Sequence, residues 1–198
     1  GKKELRNMEK LTGNKIKCAV FISGNGSNLN SIIKSSKKKK FPLKVSLVIS
    51  NNSDAWGITY AKKNKINFKI IKSLNMKSFE TKTLRILEKK KIKLICLAGF
   101  MKILSPKFVK KFKYKILNIH PSLLPKYKGL NTHSRVLKNR EKISGCTVHC
   151  VSTKLDSGKI ILQKKVVVKR NDSVETLKRR ILKQEHLLYP KAIKSIFC

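Results

Sequence analysis

Acidic residues are scarce in this chain of 198 residues, which has 10 aspartates and glutamates against 48 lysines and arginines and a formal net charge of +38. A strongly basic protein is by default a candidate for nucleic-acid binding. Arginine is scarce too, since lysine supplies 41 of the 48 basic residues, and aromatic residues do not alternate with the basic ones as base-stacking surfaces require. We therefore expect no specific nucleic-acid partner, and any DNA or RNA binding should be unselective and should collapse at physiological salt.

Long apolar runs are also missing from the sequence. No run reaches the roughly 18 residues that a membrane-spanning helix needs. The basic start "GKKELRNMEK" lacks the apolar stretch of a signal peptide. We therefore expect a cytoplasmic protein with no membrane partner. The length favours a single domain, which we place at residues 16–198, after an amino-terminal tail at residues 1–15.

The cysteines are few and odd in number. Five cysteines fit reduced thiols better than a framework of disulfides. Cys146, His149 and Cys150 lie close together in the sequence, but their spacing matches no structural zinc pattern and nothing supplies the remaining ligands. We therefore expect no metal site.

The apolar runs that are present are short, and they alternate with longer mixed segments at the spacing of repeated strand–helix units. Five strands are predicted at residues 17–23, 44–50, 67–72, 94–100 and 115–120. Helices are predicted between them at residues 28–35, 54–64, 78–90 and 105–112. This order indicates an α/β fold with a mostly parallel sheet.

The rhythm changes after residue 120. A short helix at 132–139 precedes two apolar runs, 146–151 and 160–168, which are close enough to pair as antiparallel strands, and a closing helix begins at Ser173. The sheet should therefore be mostly parallel with antiparallel carboxyl-terminal strands.

The segment "SGNGSNL", residues 23–29, lies between the first strand and the first helix. Free backbone amides and the helix dipole favour a phosphate at such a place, and Gly24 and Gly26 let the backbone approach it closely. A dinucleotide fingerprint would need glycine at Leu29 and an acid after the second strand, where Ser50 and Asn51 stand. The loop thus fits a mononucleotide phosphate better than NAD, and a tight turn without a ligand is an equal alternative.

The fifth predicted strand ends in an amide and an imidazole. Asn118 and His120 are two residues apart, so both side chains leave the same face of the strand, at the edge where open α/β sheets bind ligands. Together they could stabilise a developing oxyanion and manage a proton, as acyl-type transfer requires. Asp156 lies in the loop "LDSG", and a carboxylate beside a histidine fixes its tautomer and favours its protonated form.

Several motifs together resemble one enzyme family. They are "FISGNGSNL", "LAGFMKIL", "LNIHPSLLPKYKGLNTH", "GCTVH", "LDSG" and "QEHLLYP". Their order and spacing are similar to those of phosphoribosylglycinamide formyltransferases, folate-dependent enzymes of purine biosynthesis, from about Cys18 to Pro190. The resemblance implies a Rossmann-like formyltransferase fold. It also implies transfer of a formyl group from 10-formyltetrahydrofolate to the amine of 5-phosphoribosylglycinamide, with small-molecule substrates, no metal, and a monomer or a homodimer.

The matching motif positions imply roles for individual residues. Asn118, His120 and Asp156 would form the catalytic trio, and Glu185 would hold the substrate at its ribose. The substrate phosphate would lie on the loop and first helical turn formed by Gly26, Ser27, Asn28, Leu29 and Asn30. His133 and His186 stay outside the implied chemistry, and His149 would at most orient another residue.

The resemblance also implies a folate wall, which would contact the pterin largely through backbone atoms. Its residues would be Lys82, Met101, Lys102, Ile103, Leu104, Asn118, Ser152, Thr153, Lys154, Leu155 and Asp156. Two of them depart from the family pattern. Lys102 stands where the family usually has arginine, and Lys82 aligns, across gaps, with an arginine that contacts the folate.

Three alternatives compete with this assignment. Methionyl-tRNA formyltransferase and formyltetrahydrofolate deformylase share the sheet and the Asn-x-His pair. The first carries an extra carboxyl-terminal domain and the second an extra amino-terminal one, and we expect this chain to have room for neither. A non-enzymatic polyanion-binding module would account for the charge and leave the motifs unexplained.

Overall fold

The computed structural model describes residues 15–73 and 75–197. The expected tail at residues 1–15 lies outside them except for Lys15. Among the described residues, seven strands form one sheet: β1 (Ile16–Ile22), β2 (Leu43–Ser50), β3 (Phe68–Ile70), β4 (Leu94–Leu97), β5 (Lys115–His120), β6 (Ile143–Cys150) and β7 (Ile160–Val167). Their spatial order is β3-β2-β1-β4-β5-β6-β7. Neighbours from β3 to β5 are parallel, whereas β6 is antiparallel to β5 and β7 is antiparallel to β6. The predicted sheet is confirmed.

The helices of the described part are α1 (Ser27–Ser36), α2 (Ile58–Lys63), α3 (Met76–Lys89), α4 (Pro106–Lys111), α5 (Thr132–Lys138) and α6 (Val174–Phe197). Local chemistry sets two of their starts. The side chain of Asn75 accepts a hydrogen bond from the backbone N–H of Ser78, which begins α3 two residues before the predicted position. Ser105 caps α4 in the same way, with Pro106 at the first helical position.

Some predicted strands and helices are shorter in the structure. The fourth strand was predicted to reach residue 100 but ends at Leu97, because Gly99 adopts a left-handed backbone with φ +71°. The second helix was predicted from residue 54 but begins at Ile58, since the Asn52 side chain accepts from the N–H of Asp54 and holds a turn there. Both changes open loops at the carboxyl end of the sheet.

The hydrophobic core lies on both faces of the sheet. Helices α1, α2, α5 and α6 cover one face, and α3 and α4 cover the other, where Phe21 of β1 meets the edges of the Phe79 and Phe108 rings. On the first face, the hydroxyl of the fully buried Tyr189 lies 3.0 Å from the carbonyl of Leu97 and 3.1 Å from that of Leu117. Helix α6 is thus tied to the strands that carry the candidate site.

The sheet reverses its strand order between β1 and β4, which both run in the same direction. Ligands of open α/β sheets bind in the crevice at the carboxyl ends of such neighbouring strands. The loops after β1, β4 and β5 meet at this edge, and the loop between β6 and β7 reaches it from the side. No helix of the described residues is long and apolar enough to cross a membrane.

Candidate active site

Asn118 and His120 leave the same face of β5 near its carboxyl end. Asn118 is half-buried and His120 is buried. The antiparallel neighbour β6 places His149 directly opposite Asn118 and Thr147 opposite His120. The site is therefore built on two paired strands rather than on loops alone, which restricts the motion of the amide and the imidazole.

Asp156 reaches this pair from the loop between β6 and β7. One of its carboxylate oxygens, Oδ2, accepts the backbone N–H of Gly129 at 2.9 Å and lies 3.4 Å from Nδ1 of His120. The other, Oδ1, lies 3.7 Å from Nε2 of His149. The backbone of Asp156 is left-handed, with φ +44°, which aspartate tolerates better than most residues. The structure thus brings the three residues of the expected trio together.

Both ring nitrogens of His120 face oxygen atoms. Nδ1 faces the Asp156 carboxylate, and Nε2 lies 2.8 Å from the carbonyl oxygen of Tyr127. Because both partners are acceptors, only a doubly protonated ring donates at both nitrogens. The phenol hydroxyl of Tyr127 donates to Glu141 at 2.9 Å, and the guanidinium of Arg135 lies 5.3 Å from the centre of its ring. The carbonyl that meets His120 is therefore fixed in place.

His149 orients Asn118. Its Nδ1 lies 2.9 Å from the carbonyl of Cys150, so this nitrogen carries the ring proton. Burial lowers the pKa of His149, which favours the neutral ring, and its Nε2 then accepts from the Asn118 side-chain amide at 3.3 Å. One amide hydrogen of Asn118 is thereby engaged, and the second has no partner among the described residues. The sequence motif contained no signal for this contact beyond the position of His149 on a nearby strand.

The loop after β1 forms the other end of the site. Gly26 has a left-handed backbone, with φ +70°, and precedes α1, whose first turn has no side-chain cap. Its backbone amides are therefore free to meet an anion. Of the residues implied for this subsite, Ser27 and Asn30 are half-buried. Leu29 is fully buried, so its side chain belongs to the core.

Gly57 supports this loop from the start of α2, and no sequence motif indicated this role. Its N–H donates to the carbonyl of Gly24 at 3.0 Å. A Cβ added at Gly57 would lie 2.6 Å from Cδ1 of Ile22 and 2.9 Å from Cα of Gly26. The two glycines thus meet backbone to backbone, and only glycine at both positions permits this approach.

We expect Gly57→Ala to displace the loop, because the new methyl group would push against the backbone of Gly26. The KM for a phosphorylated substrate should rise several-fold. The KM for a second substrate that binds elsewhere in the site should change less. Steady-state kinetics with each substrate varied in turn would measure this effect. Equal changes in both KM values, or none, would show that the contact does not shape the phosphate subsite.

Asn28 and Glu185 form a buried pair between α1 and α6. The Asn28 amide donates to Oε2 of Glu185 at 2.7 Å, whereas Oδ1 of Asn28 is buried without a hydrogen-bond partner among the described residues. Burial raises the pKa of Glu185 to about 7, although the hydrogen bond from Asn28 opposes this shift. The pair therefore joins the first turn of α1 to α6, and it leaves Oδ1 of Asn28 without a partner among the described residues.

The raised pKa of Glu185 predicts a pH-dependent stability. Glu185 binds its proton more tightly in the folded state than in the unfolded state, and this difference stabilises the fold. The stabilisation is full below the ordinary pKa of 4.5 and is lost as the pH rises through about 7. Glu185→Gln cannot ionise and should gain stability relative to the wild type between pH 5 and pH 8, by up to ~3 kcal/mol. Thermal unfolding of both proteins across this range tests the prediction, and parallel curves would contradict it.

The residues expected to form the folate wall divide into two groups. Met101, Ile103 and Leu155 are exposed at 66%, 69% and 49%, while Leu104 is buried. Large exposed apolar side chains beside a polar cluster are typical of a ligand-binding surface. Of the other wall residues, Lys102, Thr153 and Lys154 are exposed and Ser152 is half-buried.

Lys82 lies on α3 and lines a shallow groove beside β3, together with residues that include Lys72 and Arg85. Its contact with the folate stays a prediction. Among residues 15–73 and 75–197, no group of three or more histidine, cysteine, aspartate or glutamate side chains could hold a metal ion.

Comparison with known proteins identifies the family. The profile of the Formyl transferase family matches residues 16–193. The chain belongs to the formyl transferase family. Phosphoribosylglycinamide formyltransferase from Haemophilus influenzae, a formyl transferase of similar size, is 43% identical over 90% of this chain and 85% of its own. The resemblance that the sequence motifs indicated is therefore confirmed.

Two further relatives place the formyl transferase domain in context. The crystal structure of phosphoribosylglycinamide formyltransferase from Brucella melitensis superimposes with a TM-score of 0.88 at 38% identity, covering 93% of this chain and 97% of that one. The trifunctional purine biosynthetic protein adenosine-3 of Gallus gallus is 45% identical over 94% of this chain. This chain spans only 19% of the length of the Gallus protein.

Proposed function

We propose that this chain transfers a formyl group from 10-formyltetrahydrofolate to the amine of 5-phosphoribosylglycinamide, a step of de novo purine biosynthesis. One observation carries the proposal. The Asp156 carboxylate lies 3.4 Å from the His120 imidazole, and Asn118, on the same strand face as His120, is oriented by His149 at 3.3 Å, at the sheet edge between a phosphate-type loop and an exposed apolar wall. The names of the Haemophilus and Brucella relatives agree with this activity.

The glycinamide substrate is assigned to the side of the site formed by α1 and α6. Its phosphate lies on the backbone amides of Gly26, Ser27 and Asn28, where the helix dipole and the absence of a side-chain cap favour an anion. Its ribose lies at Glu185, whose carboxylate accepts hydroxyl hydrogens. The many lysines add a positive field that draws the phosphorylated substrate towards the site.

The folate donor is assigned to the opposite side. Residues 101–104 and 152–156 provide exposed apolar side chains for its rings and backbone groups for the polar edge of the pterin. Asp156 ends this wall and also meets His120, so the formyl group of a donor bound there would lie beside the trio.

The chemistry follows from where charge develops. The glycinamide amine attacks the formyl carbon, and the carbonyl oxygen gains negative charge. The second amide hydrogen of Asn118 donates to this oxygen, and the protonated ring of His120, held by Asp156, stabilises it electrostatically. The bond from the formyl carbon to the folate nitrogen then breaks, the amine loses a proton, and the folate nitrogen gains one. No step needs a metal ion.

A simple assay tests the proposal. The protein is incubated with 5-phosphoribosylglycinamide and 10-formyltetrahydrofolate, and tetrahydrofolate is followed by its absorbance. We expect its release to depend on both substrates. Release that does not depend on the glycinamide substrate, or no release, would overturn the proposed activity.

We also propose that residues 16–198 act as one formyltransferase domain. Helix α6 packs against both α1 and the sheet, and Tyr189 joins it to β4 and β5. Such long-range contacts support a single cooperative unit. One transition is expected when circular dichroism and intrinsic fluorescence are followed together during urea unfolding, and two separate transitions would contradict it.

A further inference from the structure

Ser23, the first residue after β1, ties together the ends of three strands. Its N–H donates to the carbonyl of Gly99 at 3.1 Å, and its hydroxyl oxygen accepts the N–H of Met101 at 2.9 Å. On the other side, its carbonyl accepts from the Asn52 side chain at 3.1 Å, and its hydroxyl donates to Oδ1 of Asn51 at 2.6 Å. Every polar group of Ser23 is therefore used in holding the loops after β2 and β4.

Asn51 fixes the orientation of the Ser23 hydroxyl group. A serine hydroxyl has one hydrogen to donate and lone pairs with which to accept. Because the hydrogen is directed to the Asn51 side chain, the lone pairs of the oxygen face the Met101 N–H. The rotation of the hydroxyl is thus fixed by one loop so that it can hold the backbone of another.

Met101 begins the apolar wall, residues 101–104, and the far end of this wall is held separately. The buried carboxylate of Glu80 on α3 accepts both the N–H and the hydroxyl of Ser105, each at 2.6 Å. The wall is therefore anchored at both ends, by Ser23 from the phosphate side and by Glu80 from α3. Met101 and Ile103 nevertheless remain exposed between the anchors at 66% and 69%.

We propose that Ser23 is a positioning residue for the formyl donor: its hydroxyl holds the backbone of Met101 so that the wall at residues 101–104 keeps the shape that binds the folate rings. The inference rests on the proposed function, because it takes this wall as the donor side of the site. Nothing in the sequence motif "SGNGSNL" separates this role from phosphate binding, since Ser23 simply precedes the two glycines.

The effect should be selective for the donor. In Ser23→Ala, the backbone bonds to Gly99 and Asn52 remain, and the phosphate loop keeps its contact with Gly57. Only the hydroxyl contacts with Met101 and Asn51 are lost. We therefore expect the KM for 10-formyltetrahydrofolate and the Kd of tetrahydrofolate to rise about fivefold to tenfold. The KM for the glycinamide substrate should change less than twofold.

Two variants separate positioning from a general structural role. Ser23→Thr keeps the hydroxyl and should restore donor binding to within about twofold of the wild type. Ser46→Ala is the matched control, because its hydroxyl bonds to the Lys44 carbonyl within the same strand. It should leave both KM values unchanged. Equal rises in the KM of both substrates in Ser23→Ala, or no rescue by threonine, would overturn the proposal.

A double-mutant cycle tests whether Asn51 acts through Ser23. Asn51→Ala should raise the Kd of tetrahydrofolate by a smaller factor than Ser23→Ala, because the hydroxyl remains but is free to rotate. The double variant should bind tetrahydrofolate no more weakly than Ser23→Ala alone. Fully multiplicative effects would show that the two residues act independently and would contradict the inference.

Isothermal titration with tetrahydrofolate keeps this inference distinguishable from the proposed function. If the wild type binds tetrahydrofolate and transfers formyl, but Ser23→Ala is unaffected, the positioning role is wrong and the function stands. If the wild type binds no tetrahydrofolate, the assignment of the wall to the donor is wrong, and both ideas fail at that step.

Discussion

His120→Ala is expected to lower the turnover of formyl transfer by on the order of 10²-fold or more, with much smaller changes in both KM values. The reason is that the positive ring stabilises charge which exists on the formyl oxygen only in the transition state. Its ring lies between Asp156 and the Tyr127 carbonyl, whereas the neighbouring ring of His149 is engaged by Asn118. Single-turnover kinetics at saturating substrates would measure the chemical step.

The control for this prediction is another histidine. His186→Gln changes a half-buried residue of α6 whose backbone carbonyl, rather than its ring, bonds to Ser31. We expect its turnover to stay within about twofold of the wild type. Comparable losses in the two variants would show that the assay reports a general loss of structure. Activity retained in His120→Ala would exclude the ring from the chemistry.

Asp156→Asn is expected to lower turnover steeply while the melting temperature stays nearly unchanged. Asparagine keeps the shape, tolerates the left-handed backbone at φ +44° and can still accept the N–H of Gly129. What it removes is the negative charge 3.4 Å from His120. The imidazole then loses the charged partner that orients it and stabilises positive charge on it.

The opposite pattern is expected at Asp172, which gives a matched control for a lost carboxylate. Asp172 pairs with Arg180 of α6 and accepts the N–H of Lys169. Neither partner belongs to the catalytic trio. Asp172→Asn should lower the melting temperature and leave turnover nearly unchanged. If Asp156→Asn behaved in this way as well, Asp156 would be a structural loop residue and the trio would have to be abandoned.

Much of the site could be predicted from the sequence because its main features are local. Asn118 and His120 share a strand face through their spacing of two, and their place at the carboxyl edge follows from the strand–helix order.

The remaining features depend on contacts between distant segments, which a single sequence does not encode in any local pattern. The pairing of Asn118 with His149 requires the register of β6 against β5, and the bond between Asn28 and Glu185 spans 157 residues. The close approach of Gly26 and Gly57 depends on how the loop after β2 folds back. Lys82, which an alignment with gaps placed with the donor, lines a groove beside β3, and its contact with the donor stays a prediction.

The most direct test of the central claim follows the formyl carbon itself. Donor carrying a ¹³C-labelled formyl group is mixed with 5-phosphoribosylglycinamide and the protein, and the label is observed by NMR. We predict that the signal moves from the folate nitrogen to the amide of the formylated glycinamide product, and that His120→Ala abolishes this movement on the same timescale. A label that appeared as free formate would indicate hydrolysis instead of transfer. Transfer at equal rates in the wild type and His120→Ala would contradict the proposed site.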